Sequence, residues 1–359
     1  MPLLTISVPT YRRVDLLERC LTSITSAKEA TTADVELVIS DNSPDAAVEQ
    51  LVGRFSASWP GALRYYRNPP GTGAVRNFNH CIERANGQYN LMLHDDDYLL
   101  AGAVDNIVRI LHAADATRDK VLLFGVHDVD LVGRVIRRRQ FRRDQFLAPP
   151  AALRHLLGNS SFVRVPGLVV QNASYEAVGG FDTSAYTTCD FDMSVRLFSR
   201  FGVRCVPLAA AAYTVHPGGI TSTVFTRRTI MLDLRSFEVA RRSGVLTPTT
   251  VERLQRRFFH QFILAGTWRA LKRRDRERAR QVYALFELPE IRAQGPSPRW
   301  LPVRAAFAVL SGALWRRTQS IREDTPSTPL NAGTSEGPTP PGVGSSGGEG
   351  SAADTIREW

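Results

Sequence analysis

"AVRNFNHCIERANGQYNLMLHDDDYLL" (Ala74–Leu100) contains the change of period that decides the fold. Val75, Phe78, Ile82 and Ala85 recur at helical spacing and mark one apolar face. After Asn86-Gly87 the pattern becomes "YNLMLH", a short apolar run of the kind that makes a buried strand. That run ends in Asp95, Asp96 and Asp97. Adjacent carboxylates repel, so three together at the end of a core strand call for a cationic partner. Acids at a helix start would be a structural account, because the helix dipole favours them there. That account covers one or two acids better than three abutting so apolar a strand. Mg²⁺ and Mn²⁺ take oxygen ligands, and Mg²⁺ is usually held by one or two carboxylates plus substrate phosphates. Metal–diphosphate binding is therefore the chemistry this run favours.

Upstream, the same alternation repeats. "LLTISVP" (Leu3–Pro9) reads as a strand, and Val14, Leu17, Leu21 and Ile24 then follow helical spacing. "VELVIS" (Val35–Ser40) is a second strand, ending in the turn signal "DNSPD". "LRYYRN" is a third. Downstream, "KVLLFGV" (Lys120–Val126) is a fifth strand after "YNLMLH". Strands separated by helices of this length indicate βαβ units, with ligands bound beyond the carboxyl ends of the strands. Thr10, Asp41 and Asp95 to Asp97 follow three of those strands, so topology alone brings them to one crevice. From about 130 onward the pattern loosens. "PGLVVQNASYEAVGGFD" reads as strand, short helix and turn, "CDFDMSVRLFSRFG" as helix, and "VRCVPLAAAAYTVHPGGITS" as strand and then a glycine-rich turn.

The bulk numbers set limits. The chain has 359 residues, 43% hydrophobic and 22% charged, which is ordinary globular composition. Four scattered cysteines without CxxC spacing argue against zinc clusters and disulfide frameworks. The opening residues lead into a strand pattern and read as carrying no signal peptide. No run reaches the ~18 apolar residues of a membrane span. A cytoplasmic setting is expected, with peripheral association to the inner face of the cell membrane as a further expectation. The net charge of +10 suits phosphorylated ligands or anionic lipid. The arginines lack aromatic interleaving or a nucleic-acid module, so no nucleic-acid partner is expected. Dinucleotide and P-loop glycine signatures are absent.

"TISVPTYRR", "VELVISDNSPD", "GTGAVRNFNHCIERANGQYNLMLHDDDYLL", "VGGFD" and "CDFDMSVRL" together resemble the family 2 glycosyltransferases of GT-A fold, in order and approximate spacing, over roughly residues 3 to 220. The resemblance implies an α/β fold with a Rossmann-like mixed sheet flanked by helices, and inverting transfer from a nucleotide-sugar donor. It also implies a divalent cation, Mn²⁺ or Mg²⁺, held by a D-x-D-type motif. That motif falls on Asp95, Asp96 and Asp97, with His94 standing where the family form has its first Asp. The metal is then assigned to Asp96 and Asp97, in that order, with Asp95 and Asp96 also on the nucleotide-sugar side. Pro9, Thr10 and Tyr11 correspond to the nucleotide pocket. Asp41 corresponds to the acid that meets base or ribose, though it also has a use as a cap. Arg76 resembles an arginine that approaches the diphosphate; a salt bridge to the aspartates is its other reading. Asp190 matches the general base on the acceptor hydroxyl, with Cys189 in place of the usual Glu and Asp192 as a second candidate. His216 resembles a metal or diphosphate ligand, with Gly218 and Gly219 opening backbone amides to phosphate.

The domain reading is a catalytic unit over 1–225, with a nucleotide-sugar half (1–115) and an acceptor half (116–225). A basic helical region (226–320) and a disordered Pro/Gly/Ser tail (321–359) follow. The acceptor is expected to be a glycan or lipid-linked glycan. "RRRQFRR" (Arg137–Arg143) reads as a solvated face, or as a contact to acceptor phosphate or anionic membrane. "RWLPVRAAFAVLSGALWRR" (Arg299–Arg317) reads as an interfacial helix or a helix packed on the core. A non-catalytic nucleotide-sugar-binding subunit is the alternative function, prompted by His94 and Cys189.

Overall fold

The computed structural model describes residues 1–25, 29–159, 161–216 and 224–312. Gly218, Gly219, the end of the Arg299–Arg317 stretch and the 321–359 tail lie outside the described residues. The strands are β1 (Leu4–Thr10), β2 (Val35–Asp41), β3 (Ala62–Arg67), β4 (Tyr89–Met92), β5 (Tyr98–Leu99), β6 (Val121–Val129), β7 (Val135–Arg139), β8 (Gln145–Leu147), β9 (Leu168–Gln171) and β10 (Val203–Thr214). The helices are α1 (Val14–Ile24), α2 (Glu29–Thr32), α3 (Ala47–Ser56), α4 (Ala74–Glu83), α5 (Ala103–His112), α6 (Pro149–Gly158), α7 (Asn172–Ala177), α8 (Cys189–Phe201), α9 (Arg227–Arg242), α10 (Pro248–Lys272), α11 (Arg276–Tyr283), α12 (Pro289–Arg292) and α13 (Leu301–Leu310).

The sheet runs β3-β2-β1-β4-β9-β6-β10-β5. Its first four strands are parallel, as the repeated strand–helix pattern requires. The alternation misses one feature: β9 comes from far along the chain and inserts antiparallel between β4 and β6. The fifth strand of the sequence reading is therefore not a neighbour of the fourth. "LVVQ" reads as a strand locally, but its partners depend on long-range pairing, which its own residues do not encode.

Period-two alternation splits the core. Leu91 and Leu93 point with Ile6 and Val8 to one side, against α1, α3 and α5. Met92 and Leu123 point to the other side, where α4, α6 and α8 share one apolar cluster with Phe237, Phe259 and Phe286 of the late helices. The helices after residue 226 thus close over the same face as α4, α6 and α8. No helix among the described residues is long and apolar enough to cross a membrane.

Candidate active site

Parallel register puts Thr10 beside Asp41 across β1 and β2, and Ser7 beside Met92 across β1 and β4. The turns after β1, β2 and β4 therefore open at one sheet end, as expected for this topology. The three aspartates face different ways. Asp95 is fully buried; its Oδ2 accepts from Thr10 Oγ1 at 2.9 Å and from the Tyr11 amide at 3.2 Å. Arg13 Nη1 reaches both Asp95 Oδ1 at 3.2 Å and Asp96 Oδ2 at 2.8 Å. The cation demanded by the acidic run is thus partly supplied by the chain, from the turn after β1. Arg13, and not Arg76, pairs with the aspartates.

Asp96 Oδ2 also lies 3.0 Å from His216 Nε2. Asp97 Oδ1 accepts from the Thr214 amide at 2.8 Å, which ties the acidic loop to the end of β10. Its Oδ2 is buried without a hydrogen-bond partner among the described residues, and so is His94 Nε2. A buried polar atom left unpaired is costly, so two in one place point to a missing ligand. The donor atoms of His94, Asp96 and Asp97 lie within 4.8 Å of one another. Two carboxylates and an imidazole in this arrangement fit a divalent cation. His94 is held by stacking on Phe78 with ring centroids 5.1 Å apart. Burial lowers its pKa, favouring the neutral imidazole that can coordinate metal.

Burial and the Asp96 charge push the Asp95 carboxyl up to about 7. The same two causes raise Asp97 well above the carboxylate range. Burial would raise Asp96 too, but the His216 hydrogen bond and the Arg13 guanidinium outweigh it and hold Asp96 low. The run thus keeps one charge securely and the others conditionally, as close like charges must.

Asp41 is buried, with Oδ1 accepting from the Ser43 amide at 2.7 Å and Oδ2 from the Tyr65 hydroxyl at 2.8 Å. Pro9 and Tyr11 are buried beside it. Arg76 stands exposed in the first turn of α4 and makes no ion pair or hydrogen bond among the described residues. A polar knot positions that turn. Asn68 Nδ2 donates to Asn42 Oδ1 and to Asn77 Oδ1, each at 2.9 Å, and Asn42 Nδ2 donates to the Gly73 carbonyl at 3.2 Å. Gly73 takes φ +74°, a conformation open to glycine, just before α4 begins.

Asp190 lies in the first turn of α8. Its side chain is exposed, and its Oδ1 accepts from the Phe191 amide at 2.8 Å. Desolvation by the surrounding protein raises its pKa, against the Phe191 hydrogen bond and the charges of His94 and Arg164. Asp192 is different: Arg196 takes its Oδ2 at 2.7 Å in an i,i+4 ion pair, which fixes it structurally. One carboxyl escapes the motif reading. Asp233, on α9, is 4% exposed, has no hydrogen-bond partner among the described residues, and feels the Asp190 charge. Its signal in "TIMLDLRSF" is a lone acid at a buried helical position. Arg13, Arg19 and Asn68 were likewise not singled out, because their roles depend on contacts distant in sequence.

A surface cavity of about 630 Å³ lies at the opposite sheet end, against Pro2, Asn86 and Gln171, and is lined by no charged side chain. Another, of about 340 Å³, borders Arg12 and Arg13 on the acidic side. Charge, not volume, marks the site.

Comparisons with known proteins bear on the family and the fold. The model of the family described as glycosyl transferase family 2 matches residues 5–174. The uncharacterized protein MT1568 of Mycobacterium tuberculosis is 31% identical over 242 residues, which cover 64% of this chain and 73% of the relative. The GalNAc(5)-diNAcBac-PP-undecaprenol beta-1,3-glucosyltransferase of Campylobacter jejuni is 29% identical over 110 residues, which cover 30% of this chain and 34% of that enzyme. Among solved structures, the mannosyltransferase PcManGT from Pyrobaculum calidifontis, in complex with GDP-Man and Mn²⁺, superposes with a TM-score of 0.52 at 18% identity, covering 88% of each chain. That likeness concerns the fold.

Proposed function

Because the chain belongs to glycosyl transferase family 2, we propose that it moves a glycosyl unit from a nucleoside-diphosphate sugar to an acceptor hydroxyl, with inversion. The observation that carries this reading is the His94, Asp96 and Asp97 cluster, whose ligand atoms lie within 4.8 Å of one another, with the exposed Asp190 feeling the His94 charge. Asp96, Asp97 and His94, with His216 against Asp96, would hold a divalent cation. Bound there, the cation supplies Lewis-acid stabilisation of the charge growing on the leaving diphosphate. The PcManGT complex with Mn²⁺ supports that assignment. Thr10, Tyr11, Pro9 and Asp41 form the nucleotide side, Asp95 braces it, and the exposed Arg76 reaches toward diphosphate.

In the single displacement, Asp190 accepts the proton of the acceptor hydroxyl as its oxygen bonds to the anomeric carbon. The bond from that carbon to the diphosphate breaks, and the nucleoside diphosphate departs with the electron pair. A raised pKa suits a base that must be free at neutral pH and still take a proton. The acceptor class proposed is a glycan or lipid-linked glycan, supported by the name of the Campylobacter relative. Cytoplasmic placement with peripheral membrane contact is proposed together with that acceptor class.

The test is Asp190→Asn, which should bind donor normally and lose transfer by orders of magnitude; turnover near the wild-type rate overturns the base assignment. Chelation with EDTA should stop transfer, with Mn²⁺ or Mg²⁺ restoring it.

A further inference from the structure

The β6–β7 hairpin breaks the usual composition of turns. Loop tips are normally polar, because nothing covers them. Here Leu131, Val132, Val135 and Ile136 are 49, 76, 45 and 60% exposed. The tip is also rigid. Asp130 Oδ1 accepts from the Val132 and Arg134 amides at 3.1 and 2.8 Å, and the Gly133 amide closes on the Asp130 carbonyl at 3.0 Å. Gly133, at φ +83°, allows that closure. Behind the apolar tip come Arg134, Arg137 and Arg138, all exposed and without ion pairs among the described residues. β7 is an edge strand paired only with β6. Charged residues on an edge discourage strand addition, which accounts for the arginines but not for the apolar tip.

We propose that this hairpin docks the protein on an anionic lipid surface, the tip entering the interface and the arginines meeting headgroups. An apolar point backed by unpaired cations is the composition of an interfacial anchor. Contact with a second copy of the chain would crowd the same arginines against each other, so charge selects lipid. The hairpin is also wired to the site. Arg19 donates from Nη1 to the Leu131 carbonyl at 3.1 Å, and from Nη2 to the Asp96 carbonyl at 2.8 Å and to Thr214 Oγ1 at 2.9 Å. Its guanidinium lies 4.8 Å from the centre of the Tyr98 ring. One arginine therefore fixes the tip relative to the acidic loop. Docking at the tip sets the cleft beside the surface where a lipid-linked acceptor would lie, a consequence that rests on the proposed transfer reaction.

Sedimentation with sucrose-loaded vesicles tests the docking without donor or acceptor, so its failure is separable from failure of the transferase reading. The full chain should bind phosphatidylglycerol-containing vesicles, bind pure phosphatidylcholine weakly, and release with salt. The exposed double variant V132E/I136E, with unchanged melting temperature, should lose about tenfold or more in partitioning. Equal binding to neutral vesicles, or wild-type binding by V132E/I136E, overturns the proposal. So does loss only in V309E/L310E on α13, or a concentration-dependent dimer abolished by V132E/I136E.

Discussion

Arg13 Nη1 sits 2.8 Å from Asp96 Oδ2 and, from the same nitrogen, 3.2 Å from Asp95 Oδ1. One guanidinium thus spans two of three consecutive carboxylates whose mutual repulsion would otherwise open the loop after β4. The pair joins the first β-to-α turn to the fourth, and its side chains are mostly buried.

Arg13→Met should therefore be strongly destabilising for its size. It leaves Asp95 buried with a hydroxyl and an amide as partners but no countercharge. Removing one partner of a buried pair costs ~3–5 kcal/mol, and the partial exposure of Arg13 together with the raised pKa of Asp95 brings the expected loss to about 1–3 kcal/mol. Urea unfolding at neutral pH measures it. A loss under about 0.5 kcal/mol would show that Asp95 is already neutral and needs no countercharge.

Metal should act as a stabiliser in the absence of substrate. Mn²⁺ at 100 times its dissociation constant adds ~2.7 kcal/mol to stability when it binds only the folded state. Asp97→Asn and His94→Ala should each abolish the Mn²⁺-dependent rise in melting temperature. His216→Ala should reduce it less, because His216 contacts Asp96 and lies outside the His94, Asp96 and Asp97 group. A full Mn²⁺ shift in Asp97→Asn would remove the acidic loop from the metal assignment.

Much of this site was legible because its residues are consecutive. Asp95 to Asp97 end an apolar strand, Thr10 and Asp41 end two others, and parallel topology does the rest. Asp190 is singled out by its motif alone, and its role as base is the proposal tested above. The supports were not legible: Arg13 looks like a helix-start charge, Arg19 like a solvated charge inside α1, and Asp233 like one acid in a basic helix, so only folding gives them neighbours. The place of β9 in the sheet was not legible for the same reason, since "LVVQ" carries no record of which strands it joins. What hydrophobic period specifies is the element and its buried face; what it leaves open is the long-range partner.

Asn68→Leu tests whether the polar knot positions α4. The amide joins Asn42 and Asn77 directly, and His80 Nδ1 and Arg84 Nη1 reach its Oδ1 at 2.9 Å. Leucine keeps volume but strands several buried partners, at ~1–3 kcal/mol for the unsatisfied groups. Donor affinity should fall together with stability, because the Gly73 turn and Arg76 lose their brace. Calorimetric titration with a nucleotide sugar at a temperature where both proteins are folded separates the two; unchanged affinity would confine the knot to stability.

The burial of Asp233 within the field of Asp190 gives an opposite sign of pH dependence. Burial and the Asp190 charge raise Asp233 well above the carboxylate range. In the unfolded chain a free Asp ionises near ~3.9, while the folded protein holds the proton, so the folded state binds more protons as pH climbs. Its contribution to stability therefore falls from about pH 4 up to the folded pKa, the reverse of a salt-bridged aspartate. Asp233→Asn removes that penalty. It should raise the melting temperature increasingly from pH 5 to 8 and change little at pH 4. Transfer should keep its acidic limb, because the amide resembles the protonated acid that wild-type carries while Asp190 titrates. That limb reports Asp190 ionising and should lie above the ordinary carboxylate range. A melting curve for Asp233→Asn parallel to wild type across this pH range would mean that Asp233 ionises normally, and the two carboxyls would then be uncoupled.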